Sequence, residues 1–148
     1  MRIIADANIL ISIVTKLDGI SARVWLEADP YFVFTAPEFP REELAKHRSR
    51  IAKAMGLSAA QVAALEALLL ERVEFCSVAR IPDKYLDRAV ELTKDIDPKD
   101  SPYVALALFF DCQIWTGDRK LAKGLAKKEV NMVLDTTTMR YLIDQHNT

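Results

Sequence analysis

At 148 residues, with 51% apolar and 28% charged side chains, the chain has the size and composition of one folded domain, which excludes a disordered or fibrous protein. Twenty basic against twenty-one acidic residues leave a net charge of -1, which argues against a coat protein held on nucleic acid by bulk charge. No apolar run approaches the roughly 20 residues of a membrane span, and the N-terminus lacks a basic-then-apolar leader, so a soluble cytoplasmic protein without membrane partners is expected.

Residues 2–5 read as a short buried strand, and "NILISIV" follows with helical spacing that puts Ile9, Ile13 and Val14 on one side. "SARVWLEA" reads as a second helix. "YFVFT" at 31–35 reads as a strand stopped by "APEFP", and "REELAKHRSRIAKAM" has helix-forming composition as far as Gly56. Ser58 and Gln61 form a capping-box pattern for "AAQVAALEALLLERV", whose Val62, Leu65 and Leu69 lie on a broad apolar face. "VEFCSV" reads as strand. "PDKYLDRAVELTKDI" carries an apolar stripe through Tyr85, Leu86, Ala89, Val90 and Leu92 and stops at "DPKD". The rest alternates: "SPYVALALFFD" as helix, "CQIWT" as strand, "DRKLAKGLAKK" as helix, "VNMVLD" as strand and "TTTMRYLIDQ" as a final helix. Such alternation predicts one α/β domain over residues 1–148, a parallel sheet of about five strands flanked by helices on both faces. Cys76 and Cys112 lie in apolar contexts without partners at metal-ligand spacing and are expected to be buried thiols.

Ligands of open parallel sheets bind beyond the carboxyl ends of the strands, so polar residues there carry weight. Asp6 closes the first strand, Asp118 follows "CQIWT", and Asp100 opens the long apolar helix. Each also suits a helix N-cap, worth about 1 kcal/mol, and Pro102 would be tolerated at the second position of a helix capped by Asp100. Asp97 competes as the cap or turn residue of "DPKD", and Asp135, followed by three Thr, reads as a cap and stays off the metal list. Convergence of the strand-end acids would predict Mg²⁺ or Mn²⁺, because clustered carboxylates stay ionised most readily around a hard cation.

The segments "RIIADANILI", "PREELAKH", "DPKDSPYVALAL" and "IWTGDRKL", in this order and over nearly the whole chain, resemble the four signature segments of PIN-domain ribonucleases. That family includes the toxins of virulence-associated toxin-antitoxin pairs. The resemblance implies an acidic quartet of Asp6, Glu43, Asp100 and Asp118, with Asp6, Asp100 and Asp118 holding metal, Asn8 supporting the first acid and Thr116 lining the site. It implies endonucleolytic cleavage of RNA to 5′-phosphate and 3′-hydroxyl ends, with Glu43 completing the site or orienting the attacking water. A toxin of this kind implies a homodimer and an antitoxin peptide covering the acidic groove. Glu43 is chosen over Glu42 and Glu38 because the apolar Leu44 follows it; the plain alternative is an exposed helix with Glu43 facing His47 and Glu42 facing Lys46. Ser58 to Val73 looks longer than the compact toxins require.

An acidic site needs nearby cations to hold phosphates, and Arg41, Lys46, Arg48, Arg50, Arg119, Lys120 and Lys123 are candidates, against the alternative of a solvated helix face. Trp25 and Trp115 have the chemistry to stack on bases, although Trp115 sits in a strand run that suits a core. His47, mid-helix among charges, and His146, near a terminus expected to fray, are expected to face solvent and make no catalytic pair. A Mg-dependent phosphatase with an aspartyl nucleophile would need an acid where Asn8 stands, and a phospho-receiver would need an Asp after the third strand and a Lys after the fifth. A catalytically silent interaction module is the non-enzyme alternative, and four intact acids count against it.

Overall fold

Ile3, Ile4 and Ala5 are wholly buried because their strand is the middle one of five. The computed structural model describes all residues, 1–148. In chain order the elements are β1 (Arg2–Ala5), α1 (Ala7–Thr15), α2 (Ile20–Glu27), β2 (Val33–Ala36), α3 (Phe39–Met55), α4 (Ala59–Leu70), β3 (Val73–Phe75), α5 (Asp83–Thr93), α6 (Ser101–Phe110), β4 (Gln113–Trp115), α7 (Arg119–Lys127), β5 (Val133–Leu134) and α8 (Thr136–His146). Short 3₁₀ turns cover Val78–Arg80 and Pro98–Asp100. Every strand pair is parallel and the order is β3-β2-β1-β4-β5. The chain therefore winds outward from β1 on one side, then returns to β4 on the other. Between β1 and β4 the winding reverses, which opens a crevice at their carboxyl ends.

Alternation along each strand assigns side chains to the two helical layers. Ile3, Phe34 and Trp115 point into a core shared with α1–α4 and α8, while Ile4 and Ile114 point into the core beneath α5, α6 and α7. Trp25 stacks on Phe34 with ring centroids 4.1 Å apart and is buried with Trp115, so neither indole is free to receive a base. Local chemistry sets the ends: Ser58 and Gln61 make both bonds of the capping box, and Gly56 ends α3 with a left-handed φ of 66°. Asp135 caps α8 by accepting from the Thr138 amide at 2.8 Å.

Several boundaries differ from the sequence reading. Helix α3 starts at Phe39, because Pro40 needs no donor in a first turn. The strand read over "VEFCSV" stops at Phe75, where Ser77 accepts from the Ala79 amide and starts a 3₁₀ turn. The strand over "VNMVLD" shrinks to an edge pair, Val133–Leu134. On α5, Val90 is exposed and Thr93 takes its place inside, its hydroxyl donating to the Ala89 carbonyl at 2.8 Å. On α4, Glu66 is buried, with the Arg48 guanidinium donating to one of its oxygens at 2.7 and 3.1 Å. Cys76 and Cys112 are half-buried, and burial pushes the Cys112 thiol up to about 11. His146 sits in helix, stacks on Tyr31 at 4.2 Å and meets Asp29 at 2.9 Å, so the terminus does not fray as expected. No single helix is long and apolar enough to cross a bilayer.

Candidate active site

The β1–β4 crevice is built by two strand ends and two helix starts. The Asp6 amide donates to the Trp115 carbonyl, which carries the ladder one residue past β1 before the chain turns into α1. That pins Asp6 beside the residues following β4. The carboxylate is 8% exposed; Oδ1 accepts from the Asn8 amide at 3.3 Å and Oδ2 accepts from the Thr116 hydroxyl at 2.6 Å. Asn8 thus supports Asp6 through its backbone, while its side chain lies exposed.

Thr116 ties two acids together. It is buried, its one hydroxyl proton goes to Asp6, and its oxygen accepts from the Asp118 amide at 3.0 Å. Asp118 in turn caps α7, its Oδ1 accepting from the Leu121 amide at 3.1 Å. Both strand-end acids therefore cap helices, as the plain reading expects, and share a hydrogen-bonded bridge besides.

Asp100 does not cap. Its backbone is helical (φ −82°, ψ −9°), because the 3₁₀ turn runs straight into α6, and no α6 amide bonds its side chain. Asp97 is the cap of that turn, accepting from the Lys99 amide at 3.0 Å. Asp100 Oδ2 is buried with no hydrogen-bond partner. Burial raises its carboxyl to about 6, helped by the charges of Asp118, Asp97 and Asp6 and opposed by Lys120. The Asp6 carboxyl is raised too, first by burial and then by Asp118, against the lowering effect of Thr116 and Asn8. The three acids thus lie in one another's field despite wide separation along the chain.

Tyr103, which the sequence reading missed, closes the floor. One turn beyond Asp100 on α6, its buried hydroxyl accepts from the Ala7 amide at 3.2 Å. Burial raises the phenol far above its ordinary value, followed by the charges of Asp6, Asp100 and Glu43, so it stays protonated. The i,i+3 spacing from Asp100 was its only sequence signal. Changing Tyr103→Phe leaves the buried Ala7 amide without an acceptor, and a loss of about 1–2 kcal/mol in denaturant unfolding is expected.

Phe39 packs edge-on against Tyr103 with centroids 5.2 Å apart, and Glu43 stands one turn further along the same face of α3. Glu43 is half-buried and its charge reaches Tyr103, whereas Glu42 and Glu38 are exposed and Glu38 pairs with Arg41. Lys46 and His47 both face Glu43, at 3.2 and 4.0 Å, rather than being divided between the two glutamates. Among the candidate cations, Arg41 lies over the Phe75 ring and Arg48 is held by Glu66, whereas Arg119 and Lys120 stand exposed at the start of α7.

A family model of the PIN domain matches residues 4–141, a span that contains all four acids. The chain belongs to the PIN-domain family. PIN domains are in general a metal-dependent nuclease fold, and the comparison with curated proteins gives no match. As placed, no three His, Cys, Asp or Glu side chains of this PIN domain enclose an ion. The donor chemistry nevertheless fits a hard divalent cation: three carboxylates at one crevice, two raised by burial and mutual repulsion, and one oxygen buried without a donor.

Proposed function

We propose that this PIN domain is an endoribonuclease dependent on Mg²⁺ or Mn²⁺, cutting RNA to 5′-phosphate and 3′-hydroxyl ends, and that it is the toxin of a toxin-antitoxin pair. The observation that carries the nuclease reading is Asp100 Oδ2, buried and unpaired in the field of Asp6 and Asp118. A protein keeps such an oxygen at a cost of about 1–3 kcal/mol, and a cation is the partner that suits it.

Asp6, Asp100 and Asp118 would hold the ion, which supplies positive charge against the phosphate and Lewis acidity. Thr116 links the Asp6 carboxylate to the backbone of Asp118. Glu43, on the α3 side, orients the attacking water and takes its proton. As water oxygen bonds to phosphorus the P–O3′ bond breaks, and the departing O3′ takes a proton from solvent. Lys120, whose charge is felt at Asp100, offsets the acids toward the incoming phosphodiester.

The toxin reading rests on the family resemblance and on an apolar groove of about 200 Å³ between α1, α2 and α4, where Leu26 and Leu68 are 74% and 62% exposed. Exposed leucines at this density suit a protein partner, an antitoxin or a second copy in a homodimer. A small reading frame beside the gene would support the pairing.

Purified protein is expected to cut single-stranded RNA with Mg²⁺ or Mn²⁺, to stop on chelation, and to yield ligatable 5′-phosphates. Glu43→Gln is expected to lose most of this activity while Glu42→Gln and Glu38→Gln keep it. Cleavage that persists in EDTA, or that depends on Glu42 rather than Glu43, would contradict the respective assignment.

A further inference from the structure

A cleft of about 550 Å³ runs along α7 on the side facing the end of α5, lined by Asp95, Ile96, Arg119, Lys120, Lys123, Gly124, Lys127 and Lys128. Its floor exists because residue 124 lacks a side chain: a Cβ there would meet Ile96 Cδ1 at 2.4 Å, so glycine lets the helix seat directly on Ile96. One wall is a fixed strap, in which the Lys128 ammonium donates to the Leu92 carbonyl at 2.8 Å and pairs with Asp95. The remaining cations, Arg119, Lys120, Lys123 and Lys127, join no ion pair. Other cations are either held by acids, as Arg2, Arg41, Lys46, Arg48, Lys94 and Arg140 are, or, like Lys16 and Lys53, unpaired but outside the cleft; what sets these four apart is that they line one cleft together.

Position along the helix gives this group a direction. Asp118 caps α7 at the acidic crevice, so the cleft starts at the acids and leads away from them. Arg119, Lys123 and Lys127 recur every four residues, a rise of about 6 Å each time, which is comparable with the phosphate repeat of an extended strand. Unpaired ammonium and guanidinium groups at such spacing gain counterion-release energy from a polyanion while costing no internal ion pair.

We propose that the α7 cleft is a phosphate-backbone subsite, holding the single-stranded RNA that flanks the cleaved bond, with Lys123 and Lys127 as its outer contacts. This rests on the nuclease reading, and it adds a requirement for nucleotides beyond the bond that is cut. Because the outer lysines stand away from the acids, they act on substrate capture rather than on the bond-breaking step.

The test uses the whole chain and a short fluorescent single-stranded oligoribonucleotide in EDTA, with anisotropy followed across a salt series. Lys123→Gln with Lys127→Gln removes two exposed side chains, so folding is not at stake. The plot of log affinity against log salt is expected to become shallower by about 1.4, the value for two lost contacts to a single strand. Lys16→Gln with Lys53→Gln, the same charge change at exposed positions just after α1 and on α3, is expected to leave the slope unaltered. In Mn²⁺ the Lys123/Lys127 variant should show a raised KM with kcat retained. An unchanged slope, or equal loss in both double variants, overturns the cleft and leaves the nuclease reading standing. A wild-type protein that neither binds the oligonucleotide nor cuts it in Mn²⁺ overturns both.

Discussion

Asp100→Asn is expected to lose at least about a hundred- to thousandfold in RNA cleavage, the scale of removing one charge-stabilising group, while melting at a higher temperature than wild type near pH 7.5. The two effects share one cause. Asp100 Oδ2 is buried without a donor and its carboxyl is raised to about 6, so at neutral pH the folded chain carries a charge it would rather lose. A carboxyl raised on folding binds more protons folded than unfolded between its ordinary value of 3.8 and about 6, so stability falls as pH climbs through that window and stays lower above it. The amide has no charge to ionise, so the gain of Asp100→Asn should vanish near pH 4, where the wild-type carboxyl is protonated. Asp6→Asn and Asp118→Asn should be equally inactive, and Asp118→Asn should keep near wild-type melting, since an amide oxygen still serves the Leu121 amide. Mn²⁺ should raise the wild-type melting temperature near pH 7.5 by mass action, less near pH 5 where protons compete, and not at all in Asp100→Asn. A wild type whose melting ignores Mn²⁺ at both pH values would count against the metal site without any activity assay.

Thr116→Val is the second large effect. The swap keeps shape and removes the oxygen that bonds both the Asp6 carboxylate and the Asp118 backbone amide. It leaves Asp6 Oδ2 without its 2.6 Å donor, and the Asp118 amide without an acceptor. With Asp6 buried and the Asp118 amide half-buried, a loss of about 1–3 kcal/mol in denaturant unfolding is expected. The Asp6 carboxyl, freed of the bond that lowers it, should rise further, so the acid limb of the cleavage profile should move to higher pH. Thr116→Ser keeps the hydroxyl and should restore most of both, which separates the bridge from simple packing. A Val variant with unchanged stability and pH profile would show that the bridge does neither job.

Much of this molecule was legible in one dimension. Helix-strand alternation carried the parallel sheet, because the long crossovers that join parallel strands are usually helices, and Ser58, Gly56 and Asp135 acted through contacts within three or four residues. The missed details have different causes: β5 is an edge strand with one partner, whereas Val90 yields its buried place to Thr93, whose hydroxyl is satisfied within its own helix by a carbonyl one turn away. Trp25 stood as a candidate for base stacking because nothing local reveals that Phe34 lies against it.

The site divides in the same way. The sequence alone determined that Asp6 and Asp118 end strands and that both can cap, since strand ends and N-caps are local matters of pattern and dihedral angle. Only the tertiary structure decided that Asp100 is not a cap, because that depends on the 3₁₀ turn entering α6 without a break, and that Glu43 rather than Glu42 faces Tyr103, because that depends on how Phe39 seats α3. Field strength follows distance and burial, not separation along the chain, so residues 6, 100 and 118 acquire a common chemistry only when β1 and β4 lie side by side.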